Sequence, residues 1–298
     1  MTKEHADFDS KIISTKKVDV EVHSFRYGSG GVNNWDIWAA ACKPSFACAP
    51  GLISAECKSI NVLQMPGYGD STITADVDAL TLDDYIEVLD QVIDTSDGVL
   101  YGYSHSGYFM AQYALHRPDK VKAMVLVEPA LYTPKQELLD RIALIEAGED
   151  GQAMTSMLKF VGATHGRTDE QIDDTARTIL QNVNSSSAVA REYRVRADNE
   201  VTEEALAGLK VPVLLIGGTD SHLSDMVKRA FQALPHAFVS WIEGATHLTL
   251  ESGDYELEIA AAINAFLQAV SANNAKMFNE LMASVKAESV SEAQTEMA

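Results

Sequence analysis

The chain has 298 residues and carries 43 Asp and Glu against 23 Lys and Arg, a formal net charge of −20. Such an acidic surface repels nucleic-acid phosphates and anionic lipid headgroups, so neither is an expected partner. No apolar run reaches membrane-spanning length, and the charged start, Met1 to Lys11, lacks the apolar core of a signal peptide. A soluble, cytoplasmic protein is expected.

The length suffices for a large core, either one domain with an insertion or two domains. The three cysteines, Cys42, Cys48 and Cys57, fall in one segment. An odd number with no second Cys/His cluster fits reduced thiols, so neither a disulfide framework nor a metal site is expected.

The first part of the chain reads as strands. Ile12 to Ser14 is short and apolar, and Val18 to Val22 alternates with period two, as a strand with one wet face does. Gly28-Ser29-Gly30-Gly31 has neither the G-K-[ST] ending of a phosphate loop nor dinucleotide-binding spacing, so it reads as a turn. Trp35 to Ala41 predicts a strand, Phe46 to Cys57 a poor helix broken by Pro50-Gly51, and Ile60 to Gln64 another strand.

A regular alternation follows: a helix over Leu82 to Ile93, a strand over Val99 to Tyr101, a helix over Tyr108 to His116 and a strand over Ala123 to Val127. That pattern predicts a mostly parallel central sheet flanked by helices, with ligands beyond the carboxyl ends of its strands.

Between the strand and helix around residue 104 stands Gly102-Tyr103-Ser104-His105-Ser106-Gly107. A serine between small residues, where a strand turns abruptly into a helix, is what a nucleophile elbow requires. The usual G-x-S-x-G pattern ends here on Ser106, with Gly107 one residue later.

From Tyr132 to Leu209 strand signals vanish. Thr133-Pro134-Lys135-Gln136 supplies an N-cap, a proline at the first helical position and a capping-box glutamine, with Leu138, Leu139, Ile142 and Ile145 on one face. Further helices are predicted at Gly151 to Val161, Thr168 to Val183 and Ser187 to Ala197. A helical insert between two sheet strands reads as a lid. A strand over Val211 to Ile216, a helix over Met226 to Leu234, a strand over Ala237 to Trp241 and a helix over Tyr255 to Val270 complete the core. The predicted divisions are a core over 1–131 and 210–270, a helical cap over 132–209, and a tail over 271–298. In the tail, Met277, Leu281 and Val285 form a face for docking on the body or on a second copy, before an end expected to be disordered.

A serine hydroxyl needs a base, and the base needs a carboxylate to orient it. Of the eight histidines, His247 follows the last core strand, on the same side of the sheet as Ser104. His5 and His23 come too early, His116 ends a helix, His165 falls in the lid and His236 precedes a strand. His222 is the rival, in the loop after the Ile216 strand. Asp220 in that loop fits the orienting carboxylate, completing the order serine, acid, histidine; its other reading is a turn or helix cap.

Several segments together resemble the α/β-hydrolase family over Lys11 to Val270. Gln64-Met65-Pro66-Gly67-Tyr68-Gly69-Asp70-Ser71 is similar to its D-x-P-G-x-G-x-S segment, and His116 to Val121 to its R-P-E-x-V lead into a strand. Pro212 to Asp220 is similar to its acid strand, and Gly244-Ala245-Thr246-His247 to its histidine loop. The resemblance implies Ser104 as nucleophile, Asp220 as acid and His247 as base, with the insert as cap and Glu128 as the backup acid. It also implies an oxyanion hole from the backbone amide of His105 and a second amide in Ala39 to Lys43, assigned to Ala40. The family's His-Gly pair is absent there, Gln64 replaces its Asp, and Ser106 replaces its glycine, as in some slow hormone-receptor members.

The expected function is therefore a serine hydrolase of the carboxylic ester class, cleaving an ester, thioester or lactone. It would work on a small acyl substrate without cofactor or metal, as a monomer or homodimer. A ligand receptor on the same fold, and a lyase or C–C bond hydrolase using the same triad, are the alternatives. His105 and Tyr103 are expected to pack under the elbow, with the His105 side chain touching a leaving group as the other reading.

Overall fold

A computed structural model describes residues 7–26, 35–41, 57–93 and 98–280. The Gly28–Gly31 turn, most of the 46–57 segment, Cys42, Cys48 and the tail beyond residue 280 lie outside the described residues. The strands are β1 (Asp7–Ser14), β2 (Val18–Arg26), β3 (Trp35–Ala41), β4 (Cys57–Gln64), β5 (Thr72–Ile73), β6 (Gly98–Tyr103), β7 (Val121–Val127), β8 (Val213–Gly218) and β9 (Ala237–Ile242). They form one sheet in the order β1-β2-β4-β3-β6-β7-β8-β9, with β5 beside β2. From β4 to β9 every pairing is parallel, while β1 and β2 make an antiparallel edge.

Parallel strands are buried on both faces, and their sequences show it. Along β7, Ala123, Val125 and Val127 face one hydrophobic cluster, and Met124 and Leu126 the other. The Met124 and Leu126 cluster packs under α1 (Leu82–Val92), α2 (Ser104–His116) and α8 (Ser224–Ala233), and the Ala123, Val125 and Val127 cluster under α10 (Glu256–Ser271). The mostly parallel sheet flanked by helices is thus the predicted architecture. Helix α2 begins at Ser104, earlier than its apolar residues suggest, because its first turn is the polar elbow segment Ser104, His105 and Ser106, which carries no apolar periodicity.

Between β7 and β8 the chain is helical: α3 (Lys135–Glu146), α4 (Asp150–Phe160), α5 (Asp169–Leu180), α6 (Ser186–Asp198) and α7 (Glu203–Ala207). The start of α3 differs from expectation. Pro134 occupies the cap position and no side chain caps the helix, because the Thr133 hydroxyl accepts a hydrogen bond from Arg196 instead, at 2.8 Å. The insert is tied to the loop after β4, where the Asn184 side chain donates to the carbonyls of Gly69 and Ser71, both at 2.8 Å.

Beyond α10, Phe278 is buried and packs edge-on against Phe238 of β9 at 5.2 Å between ring centroids, with Met277 beside it. The first turn of the tail therefore docks on the body. No helix among the described residues is long and apolar enough to cross a membrane. The remaining short helix, α9 (Thr249–Ser252), follows the His247 loop.

Candidate active site

Ser104 stands at the junction of β6 and α2 with φ at 50°, a left-handed conformation that lifts its side chain off the strand. The glycines on either side make the turn possible. A Cβ on Gly102 would come 2.5 Å from the Cα of Gly107, and one on Gly107 would come 2.8 Å from the Cβ of Pro129. The close approach to Gly102 is therefore made by Gly107, so the position of Ser106 has room for a side chain. The Ser106 hydroxyl donates to the carbonyl of Tyr103 at 3.0 Å and accepts from its amide at 3.1 Å, closing the first turn of α2.

His247 comes from the loop between β9 and α9 and is buried. Its Nε2 lies 3.0 Å from Ser104 Oγ, and its Nδ1 lies 2.6 Å from Glu128 Oε2. A carboxylate only accepts, so Nδ1 carries the proton and Nε2 is left to accept from the serine hydroxyl. Tyr103 supports the imidazole: its ring stacks on it at 4.9 Å between centroids, and its hydroxyl donates to the His247 carbonyl at 2.6 Å. Burial, with the charges of Glu251 and Glu128 adding to it, pushes the Tyr103 phenol well above its usual range, so it stays a donor.

The carboxylate corrects the sequence reading. Asp220 was expected to orient the histidine, yet it lies exposed in the turn after β8, where Thr219 Oγ1 approaches it at 3.4 Å. Its place is taken by Glu128, the backup, at the end of the neighbouring strand β7. Glu128 also has a left-handed backbone, with φ at 40°, and is fully buried. It accepts from the Gly218 amide at 2.9 Å and from the Ser221 hydroxyl at 2.8 Å besides His247. Three donors compensate a buried carboxylate that would otherwise be costly. The rival His222 is exposed, its ring against Gly162 of the insert.

A cavity of about 280 Å³ opens over Ser104 and His247, lined also by Ala40, His105, Arg141 and Arg196. Ala40 is paired with Gly102 across β3 and β6, which brings the end of β3 beside the elbow. His105 occupies the second position of α2, where backbone N–H groups have no partner within the helix. Among the described residues, no group of three His, Cys, Asp or Glu is placed to hold a metal ion.

A model of the alpha/beta hydrolase family matches residues 23–262. The chain belongs to this family. Among solved structures, a carboxylesterase from the thaumarchaeon Nitrososphaera gargenis superposes with a TM-score of 0.69 at 14% identity, covering 88% of this chain and 100% of its own. A hydrolase from Pseudomonas aeruginosa PA01 has a TM-score of 0.68 at 17% identity, with coverages of 87% and 98%. A thermophilic esterase from Thermogutta terrifontis has a TM-score of 0.66 at 20% identity, with coverages of 88% and 99%. At these identities the likeness is one of fold. No curated protein matches the sequence.

Sequence reasoning missed a second constellation in this hydrolase. His105 Nε2 lies 2.8 Å from Glu192 Oε2, and its Nδ1 lies 3.1 Å from Arg196 Nη1. Arginine has no acceptor, so Nδ1 accepts and Nε2 donates to the glutamate. Both ring nitrogens are thus occupied. Arg196 further donates to the Ala130 carbonyl at 3.2 Å and to Thr133, and its burial lowers the guanidinium pKa. The signal was present: Glu192 and Arg196 share the face of α6 that carries Ala188, Val189 and Tyr193, and Arg141 shares the Leu138 and Ile142 face of α3.

Proposed function

We propose that this hydrolase cleaves a carboxylic ester, thioester or lactone through an acyl-enzyme on Ser104. The observation that carries this reading is the unbroken relay Ser104 Oγ, His247 Nε2, His247 Nδ1 and Glu128 Oε2, at 3.0 Å and 2.6 Å. Ser104 Oγ attacks the acyl carbon while His247 takes its proton, and Glu128 stabilises the imidazolium that forms. His247 then gives that proton to the leaving oxygen or sulfur as the bond to the acyl carbon breaks. Water repeats the sequence: it attacks the acyl-enzyme with His247 as base, and the carboxylic acid leaves as Ser104 recovers its proton.

The oxyanion of each tetrahedral intermediate is held by the His105 amide, with the end of β3 at Ala40 supplying a second donor. Such donors are worth about 10²-fold or more each in rate. The insert over residues 132–209 acts as the cap that bounds the pocket and limits water. Ser106 hydrogen-bonds back to Tyr103 and leaves the elbow intact, so the missing glycine does not count against catalysis.

The test is labelling by a fluorophosphonate and turnover of a short p-nitrophenyl ester, both expected in the wild type and both lost in Ser104→Ala. A wild type that is neither labelled nor active overturns the reading.

A further inference from the structure

Arg141 is a charged side chain with only 2% exposure on the apolar face of α3, and it lines the cavity that holds Ser104. One guanidinium nitrogen, Nη2, donates to Glu137 at 3.1 Å, while Nε is buried without a hydrogen-bond partner. Its charge centre lies 5.2 Å from the Phe160 ring and 5.9 Å from that of Tyr193, held between aromatic faces. Leaving a buried guanidinium N–H unsatisfied is costly, and the cost is recovered if a ligand supplies the acceptor.

The charges in the cavity indicate which ligand. Arg196 also has an unpartnered buried Nε, but its other nitrogens are bonded to His105, Ala130 and Thr133, and its charge faces the fully buried Glu192 through the intervening His105. Among the described residues the carboxylate paired with Arg141 is that of Glu137, whose side chain is 41% exposed and so screened by solvent. One cation in the cavity is left poorly compensated, which matches a single negative charge. The acidic residues lining the cavity, Glu251 and Glu256, come from α9 and α10, on the body side near His247. An anion is therefore repelled from the reacting end and drawn to the insert.

We infer that the ester substrate carries a second, ionised carboxyl group, bound by Arg141 on the insert side of the cavity while the reacting carbonyl lies at Ser104. This rests on the hydrolase reading for the reaction but not for the binding. The planar fork of arginine suits a carboxylate, and the cavity of about 280 Å³ suits a short dicarboxylic half-ester or an acyloxy acid.

The experiment compares kcat/KM for two matched pairs: monomethyl glutarate against methyl butyrate, and acetoxyacetate against ethyl acetate. Wild type is expected to prefer the anionic member of at least one pair by about 10-fold or more, and Arg141→Met to reduce that ratio by roughly 10- to 100-fold, the range for a lost hydrogen bond to a charged group. Independently of any variant, glutarate is expected to bind the wild type by calorimetry and to slow fluorophosphonate labelling of Ser104, with glutaramide as the neutral control. Labelling of Ser104 without anionic preference in either pair, and without glutarate binding, overturns the inference and leaves the hydrolase reading standing. Glutarate binding that Arg141→Met abolishes, with neither labelling nor turnover, upholds the anion site and overturns the hydrolase reading.

Discussion

Glu128 Oε2 lies 2.6 Å from His247 Nδ1, although the two residues end strands that are not neighbours in the sheet: β7 carries the glutamate and β9 leads to the histidine. Strand β8 lies between them, and its last residue, Gly218, donates its amide to the same carboxylate. The acid is thus fixed by the sheet rather than by its own loop. This arrangement separates the two candidate carboxylates by experiment. Glu128→Gln keeps the size of the side chain but removes the charge and lets it donate, so the histidine tautomer is no longer enforced. A fall in kcat of about 10³- to 10⁴-fold is expected, with the fold retained by circular dichroism. Asp220→Asn is expected to change kcat less than about threefold, and steady-state kinetics on one activated ester decides between them.

Gly218 offers a second test of the same frame. A Cβ there would overlap the backbone carbonyl of Ala245, two residues before His247, and a backbone atom cannot swing aside as a side chain can. Gly218→Ala is expected to displace the histidine loop, destabilising the protein by about 1–3 kcal/mol in urea denaturation. It should also lower kcat by about 10-fold or more, since small misplacements of a catalytic group are costly. Unchanged kcat with lowered stability would show that the loop shifts without moving the imidazole.

The proposed nucleophile and base were legible because both sit where the sequence itself marks a strand ending: Ser104 between glycines, and His247 after Ala237–Ile242. The acid was not. Glu128 and Asp220 each follow a buried parallel strand, and these two strands are neighbours, so chain order favours neither decisively. What separates them is a left-handed turn at Glu128 that directs its side chain inward, while Asp220 lies exposed. Periodicity carries no information on that turn. The buried charges on α3 and α6 were partly legible, since a charge inside an apolar stripe is a local inconsistency that function or pairing must explain.

The Glu192, His105 and Arg196 chain should behave as one unit. Glu192 is fully buried, and replacing it alone leaves the Arg196 charge without its counterion. Glu192→Leu is expected to cost about 3–5 kcal/mol, and the double variant Glu192→Leu, Arg196→Met to recover a large part of that loss, because removing both charges removes the desolvation problem. A double-mutant cycle by urea denaturation measures the coupling. Strictly additive losses would mean that His105 does not transmit the interaction.

Phe278 tests whether the start of the tail contributes to the body. Its ring is 3% exposed and lies across Phe238 in the cluster beneath α10, on the face of the sheet opposite α2. Phe278→Ala removes a buried aromatic at a site that a chain end can only partly refill, so a loss of about 3 kcal/mol is expected. That loss should appear as a lower denaturation midpoint with kcat little altered, because the sheet separates Phe278 from the Ser104 cavity. Equal stability of the variant would place the tail turn off the body in solution, and a change in kcat would mean that the two faces of the sheet are coupled through the strands.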